Sequence, residues 1–529
     1  MRTKYITIGQ KLILILPLLL ISCDDFLKRS AQNLVIPTTT AQYKEILQGE
    51  GYFYDLVKNT TGKCGYAYLQ YMTDDMEYVD VLTSPDLPAG WENSKIGEDD
   101  NVEVYAACYK WDAQLEQMQF YDEVYMYLYK QILAANVCLI AVDESEGTQS
   151  EKEILKGQAA FTRAFAYFML ANMYAKPYNK AAPNDLCVPI KPDPKPTLDR
   201  FPRATIAEVW NLIASDIQTA LDGMRGKNLE RNVYEINYPA ALILATRIAV
   251  FMEDWDKAAA LGEEYLASYP SCRLYSITDK TTAGARVENE SLELIREMKF
   301  FNKQNTEIVW VFGSLTSNYS NVFTPNTIID IYGKYFAVTS RGKNNLKDVY
   351  EDGDRRWNYW FYETVPFSTT PFYRYDYLTA KVDSRVKTEV LYGSQCFRTG
   401  EIYLLLAEAY ARRSAPDKEK AVKMLNELRI KRFDPAKYKP LQAGDFTNES
   451  LVDFVWQERR RELCFEEMHR WWDLRRMPLQ QPILHPWRNG ETYTLPPDDP
   501  AYILNFPQEE LEYNGDVLVS NYRPNRLPD

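Results

Sequence analysis

ALILATRIAVFMEDWDKAAALGEEYLASYP, residues 241–270, predicts two antiparallel helices joined by a short polar turn, with the return helix starting around Asp256. IYLLLAEAYARRSAPDKEKAVKMLNELRIKR, residues 402–432, predicts a second hairpin of the same kind, whose return helix starts around Glu419. Small residues at the predicted crossings let the two helices of each hairpin approach closely: Ala245, Ala249, Ala258, Ala407, Ala409 and Ala421.

Both hairpins resemble the tetratricopeptide repeat, including a closing proline at Pro270 in the first of them. Helix pairs of this kind stack on their neighbours and bury a continuous core. We therefore predict a mainly α fold, with tetratricopeptide-like helical repeats forming an α-solenoid core, long irregular loops and a few short strands. Generic helical hairpins are the alternative, and they would give the same architecture.

The rest of the chain alternates between helical and irregular segments. Residues 120–140 and 153–175 carry apolar side chains at steps of three and four, which predicts two long helices. Residues 176–203 contain seven prolines and should be extended. Residues 307–315 (EIVWVFGSL) predict a strand. Two further stretches lack a helical period, and long loops commonly carry function: 316–392, and 482–529, which is expected to wrap the surface.

The N-terminus predicts export and lipidation. A positively charged start precedes the apolar run LILILPLLLI (12–21), which is the layout of a secretory signal. The sequence LISC, ending at Cys23, resembles a lipobox. Cleavage would leave Cys23 as an acylated N-terminus, and acyl chains contribute about 0.8 kcal/mol per buried methylene to membrane attachment. An ordinary secretory signal that happens to contain a cysteine is the alternative.

Composition limits the classes of partner. The formal net charge is −13 and there is no basic run, which argues against nucleic acid and against attachment to anionic lipid. With two histidines, His469 and His485, and no CxxC motif, we predict no metal site, no cofactor and no histidine-based catalytic centre. Bound calcium is left open, because surface carboxylates would permit it. Beyond residue 22 we find no uncharged apolar stretch long enough for a membrane helix.

Six short motifs follow one another along the chain: YKEILQG (43–49), YMTDD (71–75), KWD (110–112), YKQILAAN (129–136), RAFAYF (163–168) and ERRRELCFEEMHRWWDLRR (458–476). Together they resemble the SusD/RagB family of Bacteroidetes surface lipoproteins. The last motif matches the family's C-terminal R-x-x-E-L-x-F-E…R-W-x-D-L-R-R signature. The ordered set covers nearly the whole mature chain and agrees with the lipobox.

The resemblance implies a lipid-anchored protein on the cell surface, in the outer membrane, partnered with a SusC-like TonB-dependent transporter. Such a protein captures an oligosaccharide or polysaccharide, or in some members a peptide, and acts as a lid for uptake without catalysis. It also suggests a division of the chain: 1–22 signal peptide, 23–230 N-terminal SusD-like region, 231–300 tetratricopeptide-like hairpin, and 301–529 C-terminal region with ligand-binding loops and the last repeats.

The 458–476 motif is dense in Glu and Arg, and we interpret it as a partly buried ion-pair network that fixes the last helices on the core. Three- and four-residue spacing on a helix allows opposite charges to pair, here Glu458–Arg461, Arg459–Glu462 and Glu466–Arg470. Trp471 should bury a flank, and Asp473 completes the signature. Loss of Arg461 is expected to leave a buried carboxylate unpaired.

Aromatic residues make up 14% of the chain, with 39 Tyr and 11 Trp. A flat ring can stack on the C–H face of a pyranose while Asn, Asp and Arg bind its hydroxyls. Aromatics at helical spacing are predicted to be core, so the ligand candidates come from loops: Trp91, Tyr319, Tyr335, Trp357, Trp360 and Tyr373, with Asp74, Asp75 and Arg341 as polar companions. A helical-repeat scaffold and an envelope glycoside hydrolase, which needs two carboxylates across the scissile bond, remain open.

Overall fold

The computed structural model of the protein describes residues 37–53, 66–80, 100–115, 121–195, 198–227, 232–278, 300–302, 305–313, 334–340, 342–364, 376–379, 381, 395–478 and 481–529. The predicted signal peptide and Cys23 lie outside these residues. The division of the chain at residues 230 and 300 stays a prediction.

Helices dominate the described residues, which confirms the predicted fold class. In chain order they are α1 (Thr40–Ile46), α2 (Asp100–Tyr109), α3 (Tyr121–Ala141), α4 (Gln149–Tyr174), α5 (Ile206–Met224), α6 (Tyr238–Phe251), α7 (Trp255–Ser268), α8 (Arg356–Trp360), α9 (Thr399–Arg412), α10 (Lys418–Arg429), α11 (Asn448–Leu463), α12 (His469–Arg476) and α13 (Gln508–Asn514). Local sequence explains several starts. Thr148 forms a capping box with Glu151 at α4, and Thr205 forms one with Glu208 at α5.

The two predicted hairpins are present as α6 with α7 and α9 with α10. Their return helices begin at Trp255 and Lys418, each one residue before the expected start. The hairpins also stack on each other. A methyl group at Gly262 of α7 would come within 2.7 Å of the Leu406 side chain of α9, so glycine allows close packing here. Helix α6 is buried along its whole length because α5, α7 and α9 surround it.

Helix α3 lies in a segment, Glu123–Glu144, that is long and apolar enough to cross a membrane. Its mean hydropathy is 1.3, and half of it is buried inside the protein. The core helix of a soluble protein can have the same length and composition. The segment contains charged residues such as Lys130 and Asp143, so it is not an uncharged apolar stretch.

Eight short strands accompany the helices in the described parts of the chain: β1 (Met76–Asp80), β2 (Ile308–Phe312), β3 (Lys334–Val338), β4 (Phe361–Thr364), β5 (Asp376–Thr379), β6 (Gln395–Arg398), β7 (Ile483–Pro486) and β8 (Thr492–Leu495). Strand β2 is the one predicted from residues 307–315. All pairings are antiparallel, in a four-stranded sheet of order β1-β3-β5-β4 and two pairs, β2-β6 and β7-β8.

The proline-rich segment after α4 is predicted to be extended, and its described residues are irregular apart from one 3-10 turn at Tyr178–Lys180. The C-terminal segment differs from expectation, because it enters the core instead of only wrapping the surface. Leu504 and Phe506 are fully buried, and the Leu504 amide donates to the carbonyl oxygen of Met173 at 2.9 Å. The apolar residues of the C-terminal segment therefore pack at the end of α4.

Candidate binding site beside the four-stranded sheet

The structure describes five of the nine ligand candidates predicted from sequence, and these five lie on or next to strands of the four-stranded sheet. Asp74 and Asp75 directly precede β1, and Tyr335 lies within β3. Trp357 and Trp360 lie on α8, which leads into β4. The other four fall outside the described residues: Trp91, Tyr319, Arg341 and Tyr373.

Asp74 and Asp75 form ion pairs within the protein. Arg470 donates to both oxygens of Asp74 at 2.7 Å, and Arg460 Nε donates to Asp75 Oδ1 at 2.7 Å. Burial raises the pKa of both carboxyls; at Asp74 the Arg460 and Arg470 charges reverse this and hold its pKa well below the usual range, whereas the pKa of Asp75 stays raised. Ligand contact by these residues stays a prediction, and it would require the ion pairs to open.

The two tryptophans of α8 are also largely inside the protein. Trp360 is fully buried, with Lys381 Nζ 3.8 Å from its ring centroid and Phe300 packed edge-on at 5.4 Å. Trp357 is 8% exposed and packs against Phe361 at 4.6 Å. Of the two, Trp357 lies nearer to solvent.

A partly exposed aromatic surface beside β1 was missed by the sequence analysis. The Trp487 ring lies 4.2 Å from the Tyr78 ring, and Arg488 Nε donates to the Tyr78 hydroxyl at 2.9 Å. Lys110 Nζ lies 5.2 Å from the Trp487 ring centroid. We call Tyr78, Lys110, Trp487 and Arg488 the Trp487 platform. It combines an apolar ring face with cationic hydrogen-bond donors, the combination that a sugar ring requires.

The Trp487 platform rests on a rigid support. His485 lies stacked between the rings of Tyr109 (3.9 Å) and Trp111 (4.1 Å). Its two ring nitrogens face the carbonyl oxygens of Tyr109 and Thr73 at 2.6 and 2.9 Å. Burial lowers the pKa of His485 to about 4, although both carbonyls act in the opposite direction. Strand β7, which leads directly into Trp487, is thereby fixed to the body of the protein.

The signal that could have found Trp487 was present in the sequence. Trp487 follows a proline and precedes an arginine in a segment without helical period. That is the criterion by which aromatics in residues 316–392 were selected. Its partner Tyr78 could not be assigned from sequence, because the contact joins residues about 400 positions apart.

The 458–476 signature is two helices and not one. Helix α11 ends at Leu463 and α12 begins at His469. Between them Phe465 and Glu467 have positive φ angles of 59° and 45°, which end the helical path. Spacing across this break therefore does not follow the three- and four-residue rule.

One of the three predicted ion pairs is confirmed and two are wrong. Glu458 pairs with Arg461 at 2.8 Å within α11. The pairs Arg459–Glu462 and Glu466–Arg470 are replaced by long-range partners: Asp473 for Arg459 (2.9 Å), Arg398 for Glu466 (2.7 Å) and Asp74 for Arg470 (2.7 Å). Trp471 is buried, as expected. The network does join the last helices to the core, by contacts that helical spacing alone does not report.

Glu462 lies at the centre of this network. It accepts hydrogen bonds from Arg432, Arg398 and Arg356 at 2.7 to 3.1 Å, and all four side chains are almost inaccessible. Burial alone raises the pKa of Glu462, but the arginines outweigh burial and hold its pKa well below the usual range. Helix α11 is thus fixed to β6, α8 and the end of α10.

Three buried side chains are close enough to surround a metal ion: Glu401, Glu467 and His469. Arg247 occupies this place, because its guanidinium donates to both oxygens of Glu401 and of Glu467 at 2.7 to 2.8 Å. The Arg247 guanidinium already binds all four oxygens of the two carboxylates, so the donor set does not favour an added cation.

The fold defines a helical-repeat protein that carries a small sheet and a surface aromatic platform. Comparison with known families matches residues 280–524 to the SusD family and residues 86–250 to a family described as starch-binding and associating with the outer membrane. The two matches together span most of the chain. The chain belongs to the SusD/RagB family.

Solved structures share the whole fold. A SusD superfamily protein from Bacteroides vulgatus is 20% identical, with a TM-score of 0.67 over 92% of this chain and 99% of its own. A SusD superfamily protein from Bacteroides thetaiotaomicron is 19% identical, with a TM-score of 0.67 over 92% and 100%. A SusD-like carbohydrate binding protein from Bacteroides vulgatus is 20% identical, with a TM-score of 0.64 over 91% and 97%. No curated protein matches. At the family level these matches support carbohydrate binding and association with the outer membrane.

Proposed function

We propose that this protein is a lipid-anchored, non-catalytic glycan-binding protein of the cell surface. It captures an oligosaccharide or polysaccharide and delivers it to a partner TonB-dependent transporter in the outer membrane. Family membership supports the ligand class and the membrane. The resemblance of the sequence ending at Cys23 to a lipobox supports the anchor, and the transporter follows from the family resemblance.

The observation that carries the ligand class is the Trp487 platform. Trp487 is partly exposed, and the strand that leads into it is fixed by His485, which is stacked on Tyr109 and Trp111. A preorganised ring loses little conformational entropy when a sugar binds, which favours affinity. The Lys110 and Arg488 cations lie over the Trp487 ring, 5.2 and 5.0 Å from its centroid, where they can donate to the hydroxyls of a sugar beside it.

Electrophoresis of the purified protein through gels that contain a panel of polysaccharides tests this proposal. We expect retarded migration with at least one glycan and no released sugar. Trp487→Ala should weaken that interaction by about 1.5 kcal/mol, roughly tenfold in Kd. Trp255→Ala is the matched control, since Trp255 is also partly exposed but starts α7, far along the chain from the sheet.

Each of the other outcomes would indicate a different function for this protein. Released sugars would make it a glycoside hydrolase. Binding to peptides alone, or to no small ligand, would favour a peptide-binding member of the family or a scaffold. Equal binding by the Trp487 and Trp255 variants would place the ligand elsewhere. Melting temperatures of both variants must match that of the parent, so that a binding loss reports the site.

The anchor is tested in cells. With Cys23 acylated, the protein should fractionate with the outer membrane, and protease added to intact cells should digest it. Cys23→Ser should release it into the soluble envelope fraction, because each lost acyl chain removes about 0.8 kcal/mol of attachment per methylene. An unchanged membrane fraction for the variant would exclude lipidation at Cys23.

A further inference from the structure

Helix α3 carries an apolar stripe that no described residue covers. It consists of Met126, Leu133, Val137 and Ile140, which we call the α3 stripe. Met126, Leu133 and Ile140 are 55%, 46% and 60% exposed, and Val137 is partly exposed. Spacings of seven, four and three residues place them on one face of the helix. At 1.5 Å per residue the stripe is about 21 Å long, and between Met126 and Leu133 it is interrupted by Lys130, which pairs with Glu50 at 2.6 Å.

The two flanks of the α3 stripe are already occupied. On one flank, Cys138 Sγ donates to the carbonyl oxygen of Tyr43 in α1 at 3.3 Å. On the other, the Tyr129 hydroxyl donates to the carbonyl oxygen of Pro189 at 2.7 Å. The stripe is therefore a strip of apolar surface bordered on both sides by main chain of the same protein.

The N-terminal chain reaches the body at the Ile140 end of this strip. The Glu146 amide donates to the carbonyl oxygen of Thr38, and the Thr40 amide donates to the carbonyl oxygen of Glu146, both at 2.8 Å. Glu146 follows shortly after the last residue of α3. The residues that directly precede Pro37 in the sequence are Leu34, Val35 and Ile36, an apolar triplet.

We propose that residues 34–36 dock on the α3 stripe, covering Val137 and Ile140 and extending towards Leu133. Three extended residues reach about 10 Å, which matches the separation of these side chains along α3. A covalently attached segment next to its site has an effective concentration in the millimolar range or above. A second copy of the chain or another protein would have to compete with it.

Docking would set how far the body stands from the lipid. The chain from Cys23 to Pro37 can span up to about 50 Å when extended. Docking of the triplet removes about 10 Å of that reach and makes the tether leave along α3. The flank of the protein that carries α3 would then face the membrane. This inference does not depend on the ligand, so it can fail while glycan binding holds.

Photo-crosslinking tests the proposal in the full mature chain carrying Cys23→Ser. Benzoylphenylalanine is introduced in place of Leu34, and the products are mapped by mass spectrometry. We expect intramolecular crosslinks to peptides containing residues 126–141. The double substitution Leu133→Asp with Ile140→Asp should reduce their yield at least fivefold. Leu484→Asp is the matched control, since Leu484 is similarly exposed at 52% but lies on β7.

The remaining outcomes overturn the proposal. Crosslinks spread over the surface, or a yield unaffected by the aspartates on α3, would show that the triplet does not dock there. Crosslinks between two copies would assign the α3 stripe to self-association. Leu133, Ile140 and Leu484 have exposed side chains, so the α3 and β7 variants should fold, and unchanged melting temperatures would verify this.

Discussion

Arg398 donates two hydrogen bonds to the carboxylate of Glu466, from Nε to Oε2 at 2.7 Å and from Nη2 to Oε1 at 2.9 Å. The same guanidinium contacts Glu462 at 2.8 Å and Glu307 at 3.0 Å. All these side chains are almost fully buried. One arginine on β6 therefore joins the residue before β2, the end of α11 and the connection to α12. Its positive charge is shared by the three buried carboxylates.

Replacing Arg398 should destabilise the protein strongly. Arg398→Met leaves the buried carboxylates of Glu466 and Glu307 with fewer positive partners, and loss of one member of a buried ion pair costs about 3–5 kcal/mol. Urea unfolding measures this cost. Arg225→Met is the control, because Arg225 is 51% exposed in its pair with Glu264 and should lose less than about 1 kcal/mol. Equal losses would contradict a structural role for the network.

Arg461 shares its buried partner, Glu458, with two other arginines. Glu458, its partner, also pairs with Arg356 at 2.7 Å and with Arg429 at 2.9 Å, and together the three arginines outweigh burial and lower the pKa of Glu458 to about 2. Arg461→Ala therefore leaves the carboxylate paired and should cost about 1 kcal/mol. Arg432→Ala, at the centre of the network, should cost at least twice as much in the same urea titration. The reverse order would show that redundancy at Glu458 does not protect the fold.

Helices were predictable because their signals are local. The apolar period of α3 and α4, and the small residues of α6 and α9, are visible within single windows of sequence. Threonine followed by glutamate three residues later marks the starts of α4 and α5. These features act between neighbours in the chain, so one sequence contains them.

The sheet and the long-range ion pairs were not predictable, because they join residues far apart in the chain. Strands β1 and β3 pair across more than 250 residues, and Arg470 finds Asp74 across 396. The break between α11 and α12 depends on positive φ angles at Phe465 and Glu467. Neither phenylalanine nor glutamate favours a positive φ, so the sequence does not indicate the break. For the candidate site, sequence selected aromatic residues by their place in loops, but burial of Trp360 and exposure of Trp487 are decided by tertiary packing.

Close packing of α4 on α5 should make Gly223 intolerant of any side chain. A Cβ at this position would lie 2.4 Å from the carbonyl oxygen of Glu153 and 3.1 Å from the Cα of Gly157. Gly223→Ala must push the two helices apart, and we expect a loss of about 2–4 kcal/mol, as for other overpacked cores. Thermal unfolding measures it. Gly444→Ala, where nothing lies within 4 Å, is the control and should change stability by less than about 1 kcal/mol. A Gly223 variant as stable as the Gly444 variant would contradict the close helix contact.

His485 should make stability depend on pH in the mildly acidic range. Burial lowers its pKa from 6.5 to about 4. Above pH 6.5 the ring is neutral in both the folded and the unfolded chain and adds no pH dependence. Between pH 6.5 and about 4 the unfolded chain binds a proton that the folded protein does not, so the free energy of unfolding falls as the pH falls, by about 1.4 kcal/mol per unit.

The measurement compares urea unfolding of the parent and of His485→Gln at pH 7, 6 and 5. Glutamine cannot titrate, so the stability of the variant should decline less, and the difference between the two proteins should shrink by about 2 kcal/mol between pH 6.5 and 5. His469 and the carboxylates are present in both proteins and cancel in the comparison. Parallel pH profiles would mean that the pKa of His485 is the same in the folded and unfolded chains. If instead the parent gained stability relative to the variant as the pH fell, the folded protein would hold a charged imidazolium between the carbonyl oxygens of Tyr109 and Thr73.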